Sequence, residues 1–291
     1  MKKKEPKKMT TDLKKRLVQP KKDVFWRGPT EDGVTQSMIN SWLVCRERFR
    51  LQVVEGLQPP DSFRHAIEFG QMFHLCEEYK GTNWKEPLQE YARSLCKKYP
   101  LQQEEIIKWY QICLVTYPIY LDYWKKDKSR NTVSNEEVFD VQYALPSKRV
   151  VRLKGKWDEA FSVSSGSYKG NWLGENKTKG TIKEDQIKNQ LQFDLQTMIY
   201  LITRRIAKPK EKLRGVWYNV IRRPLAGGRH SIKQHKPTKS NPQGETEASF
   251  YQRLGGLIES EPDYFFMRWP SIVSESDYLQ FEKTFLIPIL E

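Results

Sequence analysis

A carboxylate and an ammonium stand two residues apart in Glu175-Asn176-Lys177. In an extended strand, residues i and i+2 share a face, so Glu175 and Lys177 project together. The pair suits hydrolysis, because the carboxylate binds a divalent cation while the ammonium orients water or neutralises charge on a phosphate. The same spacing also occurs as an exposed ion pair on a strand face. Asp158 lies earlier, in Gly155-Lys156-Trp157-Asp158. If its strand pairs with that of Glu175, two carboxylates come together and repel, and Mg²⁺ or Mn²⁺ between them resolves the repulsion. Otherwise Asp158 only begins a loop. His74, in Gly70-Gln71-Met72-Phe73-His74, sits on a predicted helix. It is a ligand only if that helix packs over the strand ends, and a satisfied core histidine if it does not. Gln196 and Tyr200 are four residues apart, on one helix face, and both can donate to a phosphate or form a polar rim.

The surrounding pattern predicts the elements that must position these residues. Met38, Trp42, Cys45, Phe49 and Val53 recur at helical spacing, with Arg46, Arg48 and Arg50 interleaved. Ser37 is the expected N-cap and Gly56 the stop. Further helices are expected over 63–79, 84–99 and 104–124. The texture then becomes β-like, and 136–145, 149–163 and 168–178 read as a three-stranded antiparallel meander. A single long helix is expected over 184–206, with Ile187, Leu191, Leu195, Met198, Ile199 and Ile202 as its apolar stripe. A fourth strand follows at 215–223, and helices at 248–259 and 275–290 close the sequence. The whole reads as an α/β protein: helix, three strands, helix, strand, with a helical layer inserted.

The four sets G-x-x-x-H, G-x-x-D, E-x-K and Q-x-x-x-Y thus fall in order on helix, strand, strand and helix. In that order they resemble the RecB-like exonuclease branch of the PD-(D/E)XK nuclease superfamily. The resemblance covers roughly 35–222, including the opening helix with its cysteine and basic-aromatic stretch. It implies a restriction-endonuclease-like core, a mixed sheet built on about 64–80 and 136–222, with a helical insertion at 84–127. It implies His74, Asp158 and Glu175 as metal ligands, with the Asn176 carbonyl a further one. Lys177 would position or activate the attacking water, and Gln196 and Tyr200 would hold DNA near the scissile phosphate. The expected reaction is phosphodiester hydrolysis with Mg or Mn. Branch members with an iron–sulfur cluster use one cysteine before the core and three after it. Here Cys45 fits the first, but Cys76, Cys96 and Cys113 all precede Lys177. No iron–sulfur cluster is expected, and the cysteines read as small core residues.

Composition agrees with such a partner. Among 291 residues, 50 Lys and Arg face 36 acidic residues, a formal net charge of +14 at pH 7. That balance favours nucleic acid first and an anionic membrane second. Residues 1–23 read as a flexible basic tail without the apolar face a membrane helix needs, so no membrane partner is expected. No apolar run approaches the roughly 18 residues of a spanning helix, and no secretory signal is visible. Few, scattered cysteines fit a reducing cytoplasm, and the compact size with the family resemblance implies a bacterial host or a phage-encoded protein. Residues 24–291 read as one nuclease domain with a basic loop at 223–246. Arg222, Arg223, Arg229, Lys233, Lys236 and Lys239 lie in or beside that loop, which is either a DNA-guiding flap or a solvated connection.

The expected partner is DNA, single- or double-stranded and preferably at ends, with a separate helicase or recombinase in recombination, repair or phage DNA processing. An endonuclease, a flap nuclease and a catalytically inactive DNA-binding module on the same fold are the alternatives. The last should have lost one of His74, Asp158, Glu175 or Lys177.

Overall fold

The computed structural model describes residues 26–127, 129–192, 194–225, 233–240 and 242–291; the basic tail and Arg229 lie outside them. A short strand β1 (Val34–Thr35) leads into helix α1 (Gln36–Val44), and the Thr35 hydroxyl caps it by accepting from the Met38 amide. The expected helix to Gly56 is interrupted at Cys45, whose backbone is extended at φ −163° and ψ 113°. Its sulfur accepts from the Arg48 amide at 3.4 Å, restarting the chain as a helical turn and then a wider π-turn. Helices α2 (His65–Glu78), α3 (Lys85–Lys98) and α4 (Gln103–Trp124) follow. Strands β2 (Arg130–Ala144), β3 (Val150–Val163) and β4 (Gly170–Lys179) form the expected antiparallel meander.

Between β4 and β5 (Leu213–Arg222) the expected single helix is two, α5 (Glu184–Leu191) and α6 (Leu195–Ala207). The break exposes the Leu191 carbonyl, which the buried Tyr218 hydroxyl satisfies at 2.6 Å. The apolar stripe is continuous across the break, so periodicity alone does not reveal it. Helix α7 (Glu247–Ser260), strand β6 (Phe266–Ile272) and helix α8 (Glu275–Phe281) complete the fold, with Ser274 and Asp277 forming a capping box on α8. The helix expected over 275–290 widens after Phe281 into a π-turn and a last short helix.

The sheet order is β1-β3-β4-β5-β6, with β2 also paired to β3. β4 and β5 are parallel, joined by the α5–α6 crossover, and β6 lies antiparallel on β5. Alternation along β5 divides the two cores. Val216, Tyr218 and Val220 face Met198, Ile199, Leu201 and Ile202 of α6. Ile221 faces Phe69 and Phe73 of α2, Ile112 and Tyr117 of α4, and Leu254 of α7. Full burial of each such side chain stabilises the fold by about 1.5–3 kcal/mol. Among the described residues no helix is long and apolar enough to cross a membrane.

One irregularity decides where chemistry can occur. The β3–β4 ladder runs from Val163↔Gly170 to Glu159↔Gly174 and stops. Beyond it, Glu175 to Lys179 pair only with β5, while β3 continues along β2. The two strands part, leaving a fork between Asp158 and Glu175.

Candidate metal centre

Asp158 bridges this fork. Its Oδ2 accepts from the Asn176 amide at 2.9 Å, replacing the ladder bond that the separating strands no longer make. Trp157, on the opposite side of β3, anchors the strand to α6 by donating from Nε1 to the Tyr200 carbonyl at 3.1 Å. Phe139 stacks on Trp157 with ring centroids 4.6 Å apart. Gly155 makes room for that ring, because a Cβ there would lie 2.6 Å from Phe139 Cζ. The glycine of G-x-x-D therefore permits the packing that fixes the aspartate.

Helix α2 brings His74 to the same place. Gly70 lies against β4, where an added Cβ would stand 3.0 Å from Thr178 Oγ1. One turn later His74 Nδ1 reaches 3.4 Å from Glu136 Oε1 and 3.7 Å from Asp158 Oδ2. The helix packs over the strand end, which was the condition for His74 to be a ligand.

Glu136 was not expected. The β2–β3 register passes from Asn135↔Glu159 to Glu137↔Trp157 and skips the pair between them. Glu136 there has φ +50°, a left-handed conformation uncommon for a residue with a side chain. This turn carries its carboxylate inward, where it is 3% exposed and 2.5 Å from Lys156 Nζ. One ligand atom each from His74, Glu136 and Asp158 lies within 4.8 Å of the others. The sequence signal is only a glutamate doublet, and strand alternation does not select either member.

Burying these groups together shifts their protonation. The Asp158 carboxyl is pushed up to about 8, first by burial and then by the charge of Glu175. Burial disfavours a charged His74, but the Glu136 hydrogen bond and the charges of Asp158, Glu136 and Glu175 outweigh it and raise the ring to about 9. Burial likewise works against a charged Glu136, yet its hydrogen bonds with His74 and Lys156 hold it below the usual carboxylate range. Three carboxylates and one imidazole make a hard donor set of the kind that takes Mg²⁺ or Mn²⁺, and the residues present fit such an ion.

Glu175 and Lys177 share a face, as their spacing requires. Lys177 Nζ donates to Glu175 Oε1 at 2.6 Å and to Gln196 Oε1 at 2.7 Å. Gln196 Nε2 in turn donates to the Tyr200 hydroxyl at 3.2 Å. The i, i+4 pair on α6 thus forms a brace behind the lysine. Burial opposes the charge on Lys177, but the Glu175 carboxylate prevails and raises its pKa.

The other candidates are dispersed. Arg46 and Arg48 are exposed on the helical turn that restarts after Cys45, Arg46 lying 5.1 Å from the Trp42 ring centre and Arg48 bonded to Gln52 at 3.0 Å. Arg50 is paired with Glu47 and Glu55. Arg222 is turned inward: it stacks 3.9 Å from the Tyr264 ring centre and donates to the Tyr264 and Ile182 carbonyls, both at 3.0 Å. Arg223 is half-buried beside Trp109, and burial lowers its pKa. Lys233, Lys236 and Lys239 are exposed. Cys76 and Cys113 are buried with sulfurs 3.8 Å apart, and Cys96 is half-buried. Cys45 is exposed and corrects the expectation of a core residue, because the chain breaks there instead of presenting a helical stripe.

Comparison with known proteins bears on this geometry. The family described as the PD-(D/E)XK nuclease superfamily matches residues 34–271. The solved structure titled "Crystal structure of SSO0001" is 12% identical, covering 73% of this chain and 83% of that one, with a TM-score of 0.23. Comparison with curated proteins returned no match.

Proposed function

This chain belongs to the PD-(D/E)XK nuclease superfamily, and from that premise we propose that it is a Mg²⁺- or Mn²⁺-dependent DNA exonuclease of the RecB-like branch, acting in recombination, repair or phage DNA processing. The observation that carries the reading is the convergence of His74, Glu136 and Asp158 at the fork beside Glu175 and Lys177. His74, Asp158 and Glu175 are the proposed ligands, joined by Glu136, with the Asn176 carbonyl beside them. When bound there, the divalent ion supplies charge stabilisation for the phosphate and lowers the pKa of attacking water.

The chain's own groups supply the rest. An ammonium has three N–H bonds, and Glu175 and Gln196 engage two on Lys177. We assign the third to the attacking water or a non-bridging phosphate oxygen. There it orients the nucleophile and stabilises the charge that develops in the transition state. Gln196 and Tyr200 hold Lys177 in that direction. The Asn176 amide keeps Asp158 turned into the fork. Retention of His74, Asp158, Glu175 and Lys177 favours a catalyst over an inactive DNA-binding module on this fold.

End-labelled linear duplex and single strands, beside closed circles, separate the remaining readings when incubated with Mg²⁺ or Mn²⁺. An exonuclease degrades linear DNA and spares circles. Cutting of circles would show an endonuclease, and no cleavage of any substrate would sink the catalytic reading.

A further inference from the structure

A polar chain runs through the core on the side of the sheet opposite α6. Asn176, between Glu175 and Lys177, is in register with Asn219 of β5. Asn219 is 2% exposed, and its Nδ2 donates both to Asn176 Oδ1 and to the Tyr120 hydroxyl, each at 2.7 Å. The fully buried Tyr120 hydroxyl donates in turn to Glu77 Oε2 at 3.4 Å. Glu77 lies on α2, one turn beyond His74. The chain therefore starts at the strand bearing Glu175 and ends on the helix bearing His74.

The surroundings make this arrangement unfavourable as simple core packing. Phe73, Tyr117 and Phe266 crowd Tyr120 with ring centroids 5.1–5.9 Å away. Among the described residues, Asn219 Oδ1 and Glu77 Oε1 are buried without a hydrogen-bond partner. Unpaired buried acceptors destabilise a fold, and apolar side chains of similar volume would remove that penalty. What Asn219 adds is direction. It fixes the Asn176 side chain, and Asn176 is the residue whose backbone N–H holds Asp158 in the fork.

We propose that Asn219 is a positioning residue for the metal centre, acting from the far face of the sheet through Asn176 and, by way of Tyr120 and Glu77, on the helix that carries His74. This rests on the nuclease reading above and adds to it a residue outside the four motifs. Partners behind metal ligands typically change metal affinity by about 10–100-fold when removed.

The test is Mn²⁺ binding to the full chain, followed by electron paramagnetic resonance, with Asn219→Leu, Asn219→Ser, Asn176→Ser and the Asn176→Ser/Asn219→Ser pair. Folding of each variant is checked by circular dichroism. Asn219→Ser keeps a polar, smaller side chain and serves if Asn219→Leu does not fold. The folded single variants should bind Mn²⁺ about tenfold or more weakly. At saturating Mn²⁺ the KM for DNA should stay within about twofold, since Asn219 does not reach the substrate side. Together, Asn176→Ser and Asn219→Ser should weaken binding by clearly less than the product of the two single effects, because the Asn176 route is already cut and only the Tyr120–Glu77 route is left to lose. Wild-type affinity in folded Asn219→Ser, or full additivity in the double variant, would overturn the proposal. Failure of the wild-type chain itself to bind Mn²⁺ would instead refute the nuclease reading.

Discussion

The two ends of the β3–β4 pair show opposite solutions to burial. At the closed end, Phe161, Val163 and Trp172 are buried, and Trp217 packs edge-on against Trp172 and Phe161 with centroids 5.4 and 5.9 Å away. The Arg130 guanidinium lies 3.7 Å from the Phe161 ring centre and pairs with Glu159, just before the strands separate. At the open end β3 and β4 bury Asp158 and Glu175, and the Glu136 side chain joins them from β2. Buried like charges are tolerated only where the surrounding structure over-determines their positions. The closed end is held by aromatic packing and the Arg130–Glu159 pair, and the open end gathers the carboxylates to which the proposed divalent ion is assigned.

The strongest challenge to that comparison is Glu175→Ala. Taking away this carboxylate should abolish measurable Mn²⁺ binding and reduce DNA cleavage by about 10⁴-fold or more. Urea unfolding checks that the variant is folded, since the substitution relieves repulsion on Asp158 but also takes from Lys177 the carboxylate it is paired with. Wild-type Mn²⁺ affinity in the folded variant would remove Glu175 from the centre.

Trp172→Ala probes the closed end. A fully buried tryptophan removed from a packed cluster should lower stability by about 3–5 kcal/mol, read from urea unfolding. Mn²⁺ affinity of the folded fraction should remain within about threefold. A drop beyond tenfold would show that the two ends are not separable.

Lys177→Ala sharpens the account of the open end. Mn²⁺ and DNA binding should persist while kcat falls by about 10²–10³-fold, since the lysine acts on charge that develops only in the transition state. Unchanged turnover in rapid-quench assays would remove Lys177 from the chemistry.

Much of this site is legible from local pattern. Strand alternation places Glu175 and Lys177 on one face, and a four-residue helical step aligns Gln196 with Tyr200. Both relations are set by backbone geometry over a few residues, so no distant contact is needed to predict them. The helix boundaries near 65–78, 85–98 and 103–124 and the meander are equally local.

Other features depend on distant partners. Glu136 enters the centre only because the β2–β3 register skips it and its backbone turns left-handed. Arg222 looks like a loop cation but is drawn inward by carbonyls at 182 and 264. The break between α5 and α6 depends on the Tyr218 hydroxyl across the sheet. Strand β6 was not anticipated, since its residues alternate only partly and its pairing with β5 supplies the order. Sequence by itself determined which side chains share a face and in what order the candidate ligands follow. Tertiary structure alone decided where the strands part, because separation is set by competing pairings on the far sides of β3 and β4. From that fork follow the burial, the mutual repulsion and the metal affinity assigned to this centre.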